Sequence, residues 1–160
     1  LTLLLVIAGF SSISTAAGEM ESKERLVPWD TSCRQVVKAD DPDCEMSQMV
    51  LVRATGQILL RVTVRVPPQE ASPAMMLQLP HGIYLPDGLK LMIDNKNWKD
   101  IVVQTCDAMA CYAGLALPKK ELKKLQNGKE LIVGYQSLAR TNVSVPVSLH
   151  GFSKSYDKIR

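Results

Sequence analysis

Residues 57–66 read QILLRVTVRV, with Ile58, Leu60, Val62, Val64 and Val66 on one parity and Arg61, Thr63 and Arg65 on the other. Successive side chains of a strand point to opposite faces, so this alternation predicts a strand with one face in an apolar core and one toward solvent. Such a strand cannot bury its apolar face alone; it needs a sheet, and the sheet needs a second layer. The same period of two returns at 89–94, with Leu89, Leu91 and Ile93 inward, and at 142–149, with Val143, Val145, Val147 and Leu149 inward. Pro146 falls on the outward phase and has no N–H to donate, which predicts an edge strand or a bulge there.

Working outward, further strands are predicted at 46–54, 74–79, 100–105, 111–117 and 131–136. Thr55 and Gly56 join the first of these to the long strand as a hairpin. Pro67 with Pro68, Ser72 with Pro73, Pro86 to Gly88, Asn95 to Asn97, and Asn127 with Gly128 separate the rest. Many short, evenly spaced, mostly antiparallel strands predict an all-β domain, a β-sandwich ahead of a closed barrel. Two helical pieces interrupt them. PKKELKKLQ at 118–126 starts on Pro and stops before Asn127 and Gly128, with Leu122 and Leu125 as its inward face. At the C-terminus Ser153 is expected to cap a short helix that docks Tyr156 and Ile159, with Phe152 before it.

The 160 residues suffice for one domain with its own core, and 46% hydrophobic content with 9 Gly and 9 Pro excludes disordered, collagen-like and coiled-coil organisation. A net charge of +3 is too small for the concentrated basic stripe of a nucleic-acid binder. Residues 1–17, LTLLLVIAGFSSISTAA, carry no charge, and an apolar run at Leu3 to Phe10 precedes small residues ending in Thr15, Ala16 and Ala17. That is the pattern of a secretory signal peptide lacking its front, too short in its apolar run to span a bilayer. Residues 18–28 then read as a flexible mature N-terminus, and 29–160 as a single sandwich domain with no transmembrane span.

Export agrees with the cysteines. Of three possible pairings, spacing suggests Cys33 with Cys44 and Cys106 with Cys111. A four-Cys zinc site is the competing reading for the C-x4-C pair, but C-x10-C lies outside zinc spacing, and an oxidising compartment favours disulfides.

The chain carries little that reads as chemistry. His81, in a Pro-His-Gly turn, and His150, beside Gly151, have no nucleophile-elbow motif near them, and no H-E-x-x-H occurs. Asp40, Asp41, Asp43 and Glu45 cluster around Pro42 and Cys44 as a solvated acidic loop, without the ligand alternation of a calcium site. No catalytic residue, metal ligand or cofactor is expected. The densest positive patch is Lys119, Lys120, Lys123 and Lys124, with Lys129 nearby. It is either a solvated helix face or a contact for anionic lipid, lipopolysaccharide or sulfated glycan, where each lysine adds about 1 kcal/mol. Asn142-Val143-Ser144 matches the glycosylation acceptor pattern.

Four segments in order carry a resemblance: WDTSC at 29–33 with the second Cys at 44, LPHGIYLPDGLKLMID at 79–94, VVQTCDAMACYAGLAL at 102–117, and VPVSLHGFSKSYDKI at 145–159. Together they resemble the invasion-associated locus B proteins of α-proteobacteria. The resemblance implies an immunoglobulin-like β-sandwich exported to the periplasm, outer membrane or medium, acting without catalysis in entry of a bacterium into host cells. It implies structural roles for the four cysteines and framework roles for Trp29, Gly82, Gly88, Gly151 and Phe152. The implied partner is a protein, glycan or lipid of the host cell or of the bacterial envelope. The alternative function is a resident envelope protein that binds a bacterial partner.

Overall fold

The structure of the protein, a computed structural model, describes residues 24–35, 43–67 and 72–160. The expected leader at 1–17, the start of the segment after it, and Asp40 and Asp41 lie outside the described residues. In chain order the strands are β1 (Glu24–Arg34), β2 (Asp43–Val52), β3 (Ile58–Arg65), β4 (Ala74–Leu79) and β5 (Leu89–Ile93). They continue as β6 (Lys96–Ile101), β7 (Thr105–Cys106), β8 (Cys111–Ala116), β9 (Glu130–Gln136) and β10 (Asn142–Ser148). Two α-helices, α1 (Lys119–Asn127) and α2 (Phe152–Tyr156), and a single 3-10 turn at Leu85–Asp87 complete the described chain.

Every strand pairing is antiparallel, and the strands form two sheets, one of six in the order β1-β2-β3-β4-β8-β7 and one of four in the order β10-β9-β5-β6. The two layers do not close on each other, so the fold is the immunoglobulin-like antiparallel sandwich and not a barrel. The alternation that predicted it is realised: Leu60, Val62 and Val64 are buried while Arg61, Thr63 and Arg65 lie on the outer face. Leu77 and Ala113 extend that apolar layer, and Leu89, Leu91, Leu131, Val133, Val145 and Val147 supply the facing one. Pro146 sits opposite Ile132 in β10, which is an edge strand as its missing N–H requires.

Four expectations are corrected. Strand 100–105 does not exist as such: β6 ends at Ile101, and 102–104 carry the chain from the smaller sheet to β7 of the larger. The turn before β6 is the two residues Asp94 and Asn95, φ 50° and 62°, so Lys96 already pairs with Ile93. Two successive positive φ values match the twist of a tight hairpin. Ser153 does not cap α2; Gly151, φ 82°, precedes it, and the Ser153 hydroxyl donates to the Gln126 carbonyl at 3.3 Å. Glu24–Val27, read as part of a flexible segment, pairs with β2, and the register shifts between Val27 and Asp30, where Pro28 has no N–H to donate.

The disulfides are Cys33–Cys44, across β1 and β2, and Cys106–Cys111, across β7 and β8. Trp29 fastens the layers where β1 meets the C-terminus. Its indole Nε1–H donates to the Ser148 carbonyl at 2.8 Å, and its ring meets Phe152 edge-on at 5.2 Å. Phe152 in turn stacks on Tyr156 at 6.4 Å.

Candidate functional site

The connections of the sandwich gather at two ends, and each end has its own chemistry. At the first, the strand ends at Leu79, Leu89, Ile101, Cys111, Gln136 and Asn142 lie together, and segment 80–88 is the hub of their loops. His81 Nε2 is hydrogen-bonded to the Asp107 carbonyl at 2.8 Å, tying the hub to the turn inside the Cys106–Cys111 bridge. The Leu138 N–H donates to the Gly82 carbonyl at 2.9 Å, and Ile83 bridges to Ser137. The Arg140 guanidinium lies 3.5 Å from the Tyr84 ring centroid and 4.0 Å from Asp87, a cation–π contact that holds both side chains at the surface.

Two local devices stiffen this end. The Asp107 carboxylate accepts the N–H groups of Met109 at 2.7 Å and Ala110 at 2.9 Å. The Ala110 and Met109 N–H groups hold its carboxyl below the usual range, while burial and the bond to Asp107 push the Tyr112 hydroxyl up. Gly88, φ +62°, brings the hub so close to β6 that a side-chain Cβ there would stand 2.6 Å from the Ile101 carbonyl oxygen. On this stiffened frame four large apolar side chains face solvent: Leu85 at 48% exposure, Val102 at 69%, Met109 at 80% and Leu138 at 70%. Among the described residues only Leu26 and Met76 join them as exposed large apolar groups.

The second end holds α1, α2 and the hairpin of Asp94 and Asn95. Leu125 is buried and Leu122 half-buried, as predicted, which leaves Lys119, Lys120, Lys123 and Lys124 exposed. Lys124 reaches Glu121 at 3.1 Å, and the Trp98 indole N–H donates to the same carboxylate. The Trp98 hydrogen bond, with Lys124 beside it, holds the Glu121 carboxyl below its usual range. Asp94 Oδ1 accepts the N–H groups of Lys129 at 2.8 Å and Glu130 at 3.0 Å, and these bonds lower its pKa. Two hollows of about 360 and 440 Å³ flank Gly128.

The sequence candidates thus divide. Cys106 and Cys111 belong to the loop end, Cys33 and Cys44 to the strand pair at the other, and the four lysines to α1. Asp43 and Glu45 do not form a carboxylate pair for chemistry, because both turn to Arg65. His81 and His150 are far apart in the fold, and His81 serves the hub. Among the described residues no group of three His, Cys, Asp or Glu is placed to hold a metal ion, and no helix is long and apolar enough to cross a membrane.

The sequence profile of the Invasion associated locus B (IalB) proteins matches residues 29–160. The chain belongs to that family. Two relatives are invasion protein B homologues of Brucella abortus, from strain 2308 and from biovar 1 strain 9-941. Each is 26% identical over 160 residues, covering 99% of this chain and 90% of the relative. The crystal structure of invasion associated protein B from Bartonella henselae matches with a TM-score of 0.70 at 18% identity, over 82% of this chain and 89% of that one. That likeness establishes the IalB fold here. The IalB match begins at Trp29, the residue that locks β1 to Ser148 and Phe152, and ends with the docked C-terminus.

The loop-end surface was missed in the sequence because its four apolar residues are scattered over four segments. For three of them the signal was nonetheless present: Leu85, Met109 and Leu138 are apolar residues inside turn segments, where no strand or helix period requires them, whereas Val102 falls in the expected strand 100–105.

Proposed function

We propose that this IalB-family chain is an exported, non-enzymatic binding protein that contributes to bacterial entry into host cells by docking its loop end on a host surface protein. The observation that carries this reading is the set of solvent-facing Leu85, Val102, Met109 and Leu138 on loops fastened to one hub. Apolar side chains held rigidly beside a Tyr–Arg pair are the composition of a binding hot spot, and rigid loops lose little entropy on docking. The names of the Brucella relatives support the host-directed role, and the paired cysteines support an oxidising compartment outside the cytoplasm.

The test is a parallel binding experiment with oxidised protein on intact host cells and on the bacterium's own envelope fractions. Saturable host-cell binding that is lost in a Met109→Asp, Leu138→Asp variant with unchanged melting supports the reading. Binding only to envelope fractions replaces it with a resident envelope role. Host binding indifferent to both substitutions removes the loop end as the contact.

A further inference from the structure

The two hollows beside α1 share Gly128, and that shared residue makes them one trough. One is lined by Lys96, Trp98 and Lys124, the other by Lys129, His150 and Lys154. A Cβ on Gly128 would stand 2.7 Å from Ile93 Cγ2 and 2.9 Å from Leu149 Cδ1, so glycine lets the α1 terminus sit down onto Ile93 of β5 and Leu149 just past β10. The one carboxylate lining the trough is Asp94, whose Oδ1 is already taken by the Lys129 and Glu130 N–H groups. Lys96, Lys129 and Lys154 make no salt bridge among the described residues. Of the four lysines lining the trough, Lys124 is paired with Glu121, while Lys96, Lys129 and Lys154 have only Asp94 as a carboxylate in the lining.

We infer that this trough binds a linear sulfated polysaccharide, with successive anionic substituents in the two hollows on either side of Gly128. Charge complementarity sets the sign of the ligand, and shape sets its class. Each hollow falls within the roughly 300–1,000 Å³ range of small-ligand sites, whereas a bilayer offers a flat surface that concave walls cannot follow. Trp98 adds what a lysine patch alone lacks: an aromatic ring lining the first hollow, held by its bond to Glu121, against which the apolar face of a sugar ring can lie. The exposed Lys120 and Lys123 of α1 extend the positive field along the same side of the molecule. This inference is independent of the loop-end reading, whose residues lie at the opposite end.

The experiment is calorimetric titration of the oxidised protein with size-fractionated heparin oligosaccharide across a salt series, alongside neutral dextran and anionic phospholipid vesicles. Lys129→Glu with Lys154→Glu is compared with Arg25→Glu with Lys90→Glu, which changes net charge equally outside the trough. The expected result is saturable heparin binding, none to dextran, and a roughly tenfold or greater loss in the first variant with a shallower salt dependence, while the second variant keeps its affinity. Melting curves of both variants establish that the fold persists. Equal loss in both variants would reduce the effect to net charge, absence of heparin binding would end the proposal, and vesicle binding with the same sensitivity to Lys129 and Lys154 would assign the patch to membranes instead.

Discussion

Gly88 and Gly82 separate two costs that a glycine can avoid. Both have positive φ, but an added Cβ at Gly82 meets nothing within 4 Å, whereas at Gly88 it would press on the Ile101 backbone. Gly82→Ala should therefore cost only the backbone penalty, about 1 kcal/mol, and Gly88→Ala about 3 kcal/mol because backbone cannot give way as a side-chain tip can. Urea midpoints of the two variants check the difference. Asp94 makes a prediction of a different kind. Its folded-state pKa is lowered by the Lys129 and Glu130 N–H groups, so its charge favours the fold above the ordinary carboxylate range, and that contribution is lost as pH falls through the lowered value. Asp94→Asn keeps a residue that tolerates φ 50° and removes the charge. It should be less stable than the parent at neutral pH, and the gap should narrow as pH falls below the ordinary carboxylate range and through the lowered value; a gap independent of pH would assign the stabilisation to the turn geometry alone.

Elements show how the free edges are managed. Beyond the two residues of β7, the exposed edge of β8 is covered by one side chain: Gln104 donates from Nε2 to the Gly114 carbonyl at 3.1 Å and accepts the Gly114 N–H on Oε1 at 2.7 Å. The amide stands in for the neighbouring strand, and an uncovered edge is a template for another chain. Gln104→Ala should leave the melting point nearly unchanged and raise concentration-dependent association, read by light scattering; a monomeric variant would show that β8 is protected by its neighbours. The elements also explain what the sequence made legible. β3, β5 and β10 were readable because each sets one face against the core, so burial imposes the period. β1 was not, because an edge strand of exposed Arg25, Leu26 and Pro28 carries no such period. Residues 102–104 carry the sequence pattern of a strand because a crossing between sheets can be as apolar as a strand. Loop-end residues share no period at all, since the fold and not the spacing brings Leu85, Val102, Met109 and Leu138 to one end.

At the scale of the molecule, the two disulfides fall at opposite ends, so the stability of the sandwich and the docking proposed for the loop end should depend on different bridges. Cys33 and Cys44 are 11 residues apart and Cys106 and Cys111 only 5. On the chain-entropy account the longer loop contributes about 3 kcal/mol and the shorter about 2 kcal/mol, so removing the first should lower stability more. Binding at the loop end should respond in the opposite order. The Cys106–Cys111 bridge closes the turn that carries Met109 and that receives His81 from the hub, while Cys33–Cys44 staples a strand pair remote from it. Paired Cys→Ser variants, compared by denaturant unfolding and by host-cell binding at a temperature where both are folded, should show the larger stability loss in Cys33→Ser with Cys44→Ser and the larger affinity loss in Cys106→Ser with Cys111→Ser. If affinity instead falls in step with stability in both, the bridges act on the sandwich as a whole and the loop end has no private scaffold.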